Sequence, residues 1–208
     1  MLRESLKGIE HLGKRQAVPI LRRTLRSHNR DLREFACISL GNLGGKWAMR
    51  LLIKTMVGDP SLKIRERAAH AISFFNSWKV RNEAYPQLRD VFVNSAEHPA
   101  VRAQAAEGIA YILDYSDRRR KTFREAEKLM LEGLLDNAPE VRFWSVFALA
   151  AMRSTKALPQ LRYMAETDHV KCRNWWLVSE EASDSIARIE GRQCADRNFQ
   201  WDGDYEDS

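Results

Sequence analysis

The sequence predicts an all-α protein, a solenoid of about five stacked helix pairs. Two observations lead to this prediction: a ten-residue pattern recurs five times, and a second, shorter motif recurs between its copies. In both, the apolar residues follow the 3.6-residue period of an α-helix. With 10 Gly and 6 Pro among 208 residues, the chain has few of the turns that an all-β fold needs. We expect one domain over residues 1–190 and a polar, acidic tail over residues 191–208.

The ten-residue pattern opens with an apolar residue followed by arginine, and its starts are 32, 37, 40 and 37 residues apart. Counted from 0 at the start of the pattern, the apolar positions of the second helix are 0, 4, 7–8 and 11, which lie on one face of the helix. Small residues at positions 4 and 7 allow neighbouring helices to approach closely. The fifth copy keeps these positions but has serine in place of the arginine. The copies are residues 32–41, 64–73, 101–110, 141–150 and 178–187.

The shorter motif begins with alanine and ends with leucine four residues later, and in three of its four copies the third residue is proline. Proline near the first turn of a helix costs little, because its missing N–H would lack a helical partner there. The motif therefore marks a first helix before each second helix; its copies are 17–21, 48–52, 84–88 and 157–161. Helices are predicted at about 2–12, 15–26, 31–43, 46–58, 61–76, 80–94, 99–113, 122–135, 139–152, 155–166 and 175–190.

These residues resemble the HEAT family, especially the short HEAT-like repeats of phycobilin lyases. The family pattern has an aspartate in the turn between two helices, then an apolar–arginine pair that opens the second helix. Asp59 with Arg65, and Asp136 with Arg142, match it at identical spacing. The resemblance covers about residues 2–190 and implies a right-handed α-α superhelix of HEAT-like helix pairs. It says little about function, because such solenoids have many roles.

The first and third repeats depart from this pattern. They keep the arginine as Arg33 and Arg102, but Ser27 and Ala96 stand at the aspartate position. We therefore expect the ladder of ion pairs between repeats to be weaker in these two repeats.

Charge is distributed unevenly along the chain. Residues 1–58 carry 12 Lys/Arg against 4 Asp/Glu, a net charge of +8, whereas residues 129–208 carry 9 against 14, a net charge of −5. This asymmetry bears on the choice of partner more than the total of +6 does.

No run of apolar residues is long enough for a membrane span, and no secretory signal is expected. The three scattered cysteines, without a C-x-x-C motif, predict a reduced, cytoplasmic protein.

The resemblance implies that the second helices line a concave face, so positions 3, 6 and 10 of each copy would face a groove. Most of these positions need no apolar residue for the fold, and exposed aromatic residues beside charged groups are typical of protein-binding hot spots. The candidate partner-binding residues are Phe35, Arg67, His70, Phe74, Glu107, Tyr111, Phe143, Trp144 and Phe147.

An alternative interpretation places some of these side chains in the core. Trp144 and Phe147 would then pack under the loop of residues 114–121 or under the pair Trp175 and Trp176. Phe35 and Ile38 would be covered by the N-terminal half-repeat. A shift of one position in the helical register separates the two interpretations.

Basic residues cluster at two places. One group surrounds the first helix pair and the other lies in the 114–121 insertion. Each group either contacts phosphates or an acidic partner, or forms a solvated outer face. The group in the insertion has a third interpretation, an electrostatic contact with acidic C-terminal residues. These residues are Arg22, Arg23, Arg26, Arg30, Arg118, Arg119 and Arg120.

The sequence offers little chemistry. Its five histidines lie in different repeats without metal-ligand spacing, so neither a metal nor another cofactor is expected. His70 and Glu107 occupy the same position in adjacent repeats and are predicted to form a hydrogen-bonded pair. Cys37 is predicted to be buried, and Cys172 lies between Lys171 and Arg173, which favours a lowered thiol pKa. Without a recognisable base, we expect no enzymatic activity.

The leading hypothesis is a non-enzymatic adaptor, regulator or inhibitor that binds a protein partner in the groove. One alternative is a nucleic-acid-associated protein that uses the basic N-terminal third, similar in outline to HEAT-like alkylation-repair glycosylases; acidic Glu107, Glu181 and Asp184 oppose it. Another is a phycobilin-lyase-like, chromophore-handling protein, which only the type of repeat suggests.

Overall fold

The repeat pattern is realised as α-helices joined by short turns. The computed structural model describes residues 9, 12, 14–75, 82–113, 115 and 118–197; most of the predicted helix 2–12 and the tail residues 198–208 lie outside them. Within the described residues the helices are α1 Lys14–Thr24, α2 Arg30–Leu43, α3 Lys46–Gly58, α4 Leu62–Ser73, α5 Tyr85–Val93, α6 Pro99–Ile112, α7 Lys121–Gly133, α8 Pro139–Ala151, α9 Leu158–Thr167 and α10 Val178–Glu190. No β-strand occurs in that part of the chain.

The helices form two layers. The first helices α1, α3, α5, α7 and α9 each pack on the second helix that follows, and the second helices α2, α4, α6, α8 and α10 pack on one another in sequence order. This arrangement confirms the predicted solenoid of five helix pairs. The observed bounds lie within a few residues of the predicted ones. The largest differences are that α5 begins at Tyr85 rather than near residue 80, after a 3₁₀ turn over Asn82–Ala84, and that α10 begins at Val178 rather than near residue 175.

Small residues let the second helices pack closely, as predicted. Position 4 of the pattern is Ala or Ser in every copy, and position 7 is Ala, Ser or Gly. All ten of these residues are buried. A stack of this kind buries an apolar face that no single helix pair could bury alone.

Local signals set several helix ends. The side chain of Asn29 accepts hydrogen bonds from the backbone N–H groups of Asp31 and Leu32, which caps the N-terminus of α2. His98 does the same for Ala100 at the start of α6. Gly191 takes the left-handed conformation (φ 75°) that ends α10.

A ladder of arginine–carboxylate pairs connects consecutive repeats. In each pair, the arginine near the start of a second helix reaches a carboxylate in the turn of the next repeat. The pairs and their shortest distances are Arg33–Asp59 (2.8 Å), Arg65–Glu97 (3.0 Å), Arg102–Asp136 (2.6 Å) and Arg142–Asp168 (2.7 Å). Arg33, Arg65 and Arg142 also donate to backbone carbonyls of their own turn. Each of these three arginines therefore ties its own turn to the next one.

The expectation of a weaker ladder in the first and third repeats is wrong. It assumed that the arginine forms an ion pair with the aspartate of its own repeat. In the structure, the arginine instead pairs with the carboxylate in the turn of the next repeat. Arg33 therefore makes two hydrogen bonds to Asp59 and does not need an aspartate side chain at position 27, where it uses only the backbone carbonyl of Ser27. At the third repeat, Glu97 replaces the aspartate missing at Ala96 and accepts from Arg65.

The beginning of the predicted tail packs on the last helix. Residues 192–197 follow α10 without regular secondary structure, and Arg197 forms ion pairs with Asp184 (2.6 Å) and Glu180 (2.7 Å). Residues up to Arg197 are thus packed on the last repeat, beyond the predicted boundary at residue 190.

Candidate functional site: the second-helix face

Three aromatic side chains from three consecutive second helices form a continuous row on the face of the stack. The rings of Phe74 and Tyr111 lie 6.2 Å apart, and those of Tyr111 and Phe147 lie 5.8 Å apart, measured between centroids. Phe74 is 57% exposed and Tyr111 is 42% exposed, and Phe147 is half-buried. We call Phe74, Tyr111 and Phe147 the aromatic row. All three were predicted from positions 6 and 10 of the pattern.

Polar and charged groups flank the row at both ends. At one end, the His70 ring packs edge-on against Phe74 with 4.8 Å between centroids. At the other, the guanidinium of Arg188 lies 5.7 Å from the centre of the Phe147 ring, within the range of a cation–π contact. The row therefore combines apolar surface with a hydrogen-bonding group and a cation.

His70 connects α4 to α6. Its Nδ1 lies 3.0 Å from Gln104 Oε1 and 3.4 Å from Glu107 Oε2. Because both neighbours are acceptors, Nδ1 carries the hydrogen and donates it. The predicted pairing of His70 with Glu107 is confirmed, but Glu107 is only 5% exposed. Its carboxylate holds the two helices together more than it offers a contact to a partner.

The prediction that Phe143 and Trp144 are exposed is wrong. Phe143 is 1% exposed and Trp144 is 5% exposed, because the indole of Trp175 lies 5.9 Å and 5.2 Å from their rings. Trp175 and Trp176 precede α10 in a loop that crosses over α8, and Trp176 also packs on Phe143. The alternative interpretation, which placed Trp144 and Phe147 in the core, is thus correct for Trp144, and the tryptophan pair that covers it also covers Phe143. In the loop of residues 114–121, the other covering segment considered, Tyr115 packs on Phe123 of α7.

The remaining candidates at the N-terminal end are partly engaged within the protein. Phe35 is half-buried against the core. Arg67 forms an ion pair with Glu34 of α2 (3.1 Å), and Lys63 binds the other oxygen of the same carboxylate. Arg67 therefore links α4 to α2. Ile38 of α2 is 44% exposed and extends the apolar surface of the second-helix face towards α2.

The carboxylates predicted on the last second helix are buried. Glu181 is 1% exposed and accepts hydrogen bonds from Trp176 Nε1 (2.9 Å) and from Arg188 (3.0 Å). Burial raises the pKa of Glu181 to about 7, and the nearby Arg188 opposes this rise. Asp184 is 5% exposed and is paired with Arg197. Neither carboxylate presents a free negative charge on the second-helix face.

The basic candidates lie elsewhere on the molecule. Arg22 of α1 and Arg26, in the turn just after it, line a cleft of about 820 Å³ between α1 and α3, together with Arg50 and Lys54 of α3. We call this the basic cleft. Arg23 and Arg30 are exposed near it without lining it, and Arg118, Arg119 and Arg120 are exposed in the loop before α7.

Sequence reasoning missed the α3 side of this cleft. Arg50 and Lys54 are four residues apart on one helix, and Trp47 precedes Arg50 by three residues, so all three share a face. That spacing was available as a signal. No signal in the sequence indicated the approach of α1 to α3, because that approach depends on how the first helices are spaced in the stack.

Cys37 and Cys172 are not activated nucleophiles. Burial is the main cause that raises the pKa of the Cys37 thiol to about 12, and it raises the pKa of Cys172 as well. The expectation of a lowered pKa at Cys172 is therefore wrong, because the thiol is 1% exposed and lies away from solvent. The burial predicted for Cys37 is confirmed.

Neither a metal cluster nor a membrane-spanning helix occurs among the described residues. No group of three or more His, Cys, Asp or Glu side chains there has the arrangement of a metal site. None of the described helices combines the length and the apolarity needed to cross a membrane.

The stack of helix pairs, with its forward ladder of arginine–carboxylate pairs, defines an α-solenoid repeat protein. The sequence matches the family model of HEAT repeats over residues 2–73 and 85–179. The chain therefore belongs to the HEAT-repeat family, as its resemblance predicted. No curated protein matches the sequence.

Solved structures share this fold at low identity. The chain is similar to the complex of CpcE and CpcF of phycocyanin lyase from Nostoc sp. PCC7120, with 19% identity, a TM-score of 0.58 and coverage of 84% of this chain and 96% of that chain. It is also similar to a designed armadillo repeat protein in complex with the peptide (KR)4, with 18% identity, a TM-score of 0.56 and coverage of 89% and 90%. An engineered protein matches with 17% identity, a TM-score of 0.58 and coverage of 89% and 84%.

Proposed function

We propose that this protein is a non-enzymatic interaction module, an adaptor, regulator or inhibitor, that binds a protein partner on its second-helix face. The observation that carries the proposal is the aromatic row. Its rings come from three consecutive repeats, and Phe74 and Tyr111 are exposed. The fold does not require an aromatic residue at either position, so packing does not explain their presence. Aromatic side chains supply much contact area at a low entropic cost, and they are enriched in binding hot spots.

The shape and chemistry of the face fit a peptide segment. The row crosses α4, α6 and α8, so a segment lying on it would contact several repeats at once. His70 and Arg188 at its ends offer polar contacts that would fix the orientation of such a segment. The designed armadillo protein with a similar fold is described in complex with a peptide, which supports this mode of binding.

The test is affinity purification of the tagged chain from its own cells, with nuclease present. We expect a stoichiometric protein partner to be retained by the unaltered chain and lost from a Phe74→Glu/Tyr111→Glu variant. Tyr163→Glu is the matched control, because Tyr163 is 62% exposed on the first helix α9 and lies outside the row. Circular dichroism establishes that each variant is folded.

Equal recovery of the partner by the row variant and by the control would remove the second-helix face from the proposal. Loss of one hot-spot side chain costs about 2 kcal/mol or more of binding free energy. Replacing two of them should therefore weaken the affinity by more than tenfold.

The two alternative functions stay predictions. Nucleic-acid association rests on the basic residues of α1 and α3, and it predicts binding to duplex DNA or RNA that weakens steeply with salt. A chromophore-handling role rests on the fold alone, and it predicts pigment bound to the purified chain.

A further inference from the structure

The basic cleft has an apolar floor and a cationic rim. Leu25, Trp47 and Leu51 are half-buried along the floor, whereas Arg22, Arg26, Arg50 and Lys54 are exposed around it. The cleft volume of about 820 Å³ lies in the range of sites that hold a bound molecule or a segment of chain. It opens between first helices and is therefore separate from the aromatic row on the second-helix face.

The cations of the rim have no partner within the described part of the chain. None of the four makes a hydrogen bond or an ion pair there, and the acid that lines the cleft, Asp59, is held by Arg33 at 2.8 Å and 3.1 Å. By contrast, the ladder arginines are each paired. Four neighbouring like charges repel one another in the free protein, and an anionic ligand would relieve that repulsion.

The chain itself contains a segment of matching chemistry. Residues 198–208 carry four carboxylates, at Asp202, Asp204, Glu206 and Asp207, and no basic residue. They also carry three aromatic residues, Phe199, Trp201 and Tyr205. We propose that the basic cleft binds residues 198–208 of a second copy of this chain, with the carboxylates on the cationic rim and an aromatic side chain on the apolar floor.

The choice of this occupant rests on the floor as well as on the rim. A nucleic-acid backbone would neutralise the cations but leave Leu25 and Leu51 without an apolar partner. An acidic segment with interspersed aromatic residues uses both parts of the cleft. Charge complementarity between the N-terminal and C-terminal regions also favours head-to-tail contact and speeds association.

Distance assigns the segment to another copy. Arg197 is held on α10, and the cleft lies at the opposite end of the stack, beside α2. Four steps between adjacent helices at roughly 8–10 Å each separate these ends. Eleven fully extended residues reach at most about 40 Å. Across these roughly 32–40 Å, only the last residues of the segment could touch the rim, and Asp202 and Asp204 would lie short of it.

The test is analytical ultracentrifugation of the full chain over a range of concentrations, at low salt and at about 0.5 M NaCl, where the Debye length is only about 4 Å. We expect self-association at low salt that is lost at high salt. An Arg22→Glu/Arg50→Glu variant should weaken it at least about tenfold, since two attractive contacts become repulsive. A Phe199→Ser/Trp201→Ser/Tyr205→Ser variant should also be monomeric. Arg124→Glu/Lys128→Glu, on the exposed face of α7, is the control with the same change in charge and should associate normally.

Mixing the two monomeric variants provides a second criterion. The first retains its tail and the second retains its cleft, so an equimolar mixture should form a heterodimer. A full chain that stays monomeric at all concentrations, or association that neither variant changes, would overturn the proposal. So would binding of a single-stranded oligonucleotide that depends on Arg22 and Arg50 in a chain that does not self-associate.

Discussion

At the scale of single residues, burial decides the chemistry of the ionisable groups. Glu181 lies under Trp176 and beside Arg188, so its carboxylate loses its hydration but gains two strong hydrogen bonds. Loss of hydration has the larger effect and raises the pKa of Glu181 from 4.5 to about 7. The folded protein therefore binds this proton more tightly than the unfolded chain does. Its contribution to stability should decrease as the pH rises from about 4.5 through 7.

The Glu181→Gln variant tests this linkage. Glutamine resembles the protonated acid in shape and in hydrogen bonding but does not titrate. Between pH 5 and pH 8, the unfolding free energy of the unaltered protein should fall relative to that of the variant, by up to about 3 kcal/mol. Urea denaturation at both pH values measures the difference. Identical pH dependence in the two proteins would show that the Glu181 pKa is not raised.

At the scale of helices and turns, the ladder determines how one repeat is attached to the next. Arg142 donates two hydrogen bonds to Asp168 and two more to the carbonyls of Asp136 and Asn137, and both partners of the ion pair are largely buried. Arginine suits this position because its planar guanidinium can satisfy a carboxylate and two carbonyls at once. Removing it would leave a buried carboxylate without its main donor.

Arg142→Ala should therefore destabilise the protein by about 3 kcal/mol. Arg162→Ala is the matched control, because Arg162 pairs with Glu190 at 3.1 Å on the surface and its side chain is 62% exposed. The control should cost less than about 1 kcal/mol. Urea denaturation monitored by circular dichroism gives both values, and equal losses in the two variants would contradict the structural role of the ladder.

At the scale of the whole molecule, stability should vary along the stack. The second helices α6 and α8 are packed between second helices on both sides, whereas α1 packs mainly on α2 at one end. In a solenoid, each repeat gains stability from its nearest neighbours, so an end repeat opens more readily than a central one.

Hydrogen exchange measured by mass spectrometry tests this gradient. Amides of α6 and α8 should exchange most slowly, and those of α1 should exchange at least tenfold faster, because their opening disrupts fewer interfaces. Uniform protection across these helices would indicate that the chain unfolds only as a single unit.

Most of the fold and part of the candidate site could be predicted from the sequence. The recurring pattern correctly identified the helix pairs, the small residues at helix contacts, and Phe74, Tyr111 and Phe147 on one face. Helical periodicity carries this information because it specifies which side of a helix is buried. Sequence periodicity alone does not show which distant segment covers a given surface.

The sequence by itself determined the number of repeats, the helix bounds and the positions at which helices touch. Only the tertiary structure decided that Trp175 covers Phe143 and Trp144, that each ladder arginine pairs forward, and that α1 and α3 leave a basic cleft between them. The physical reason is the range of the interactions. Helix formation and amphipathic patterning depend on residues three to four apart, whereas loop crossings, ion pairs between repeats and gaps between helices depend on contacts between residues about thirty apart.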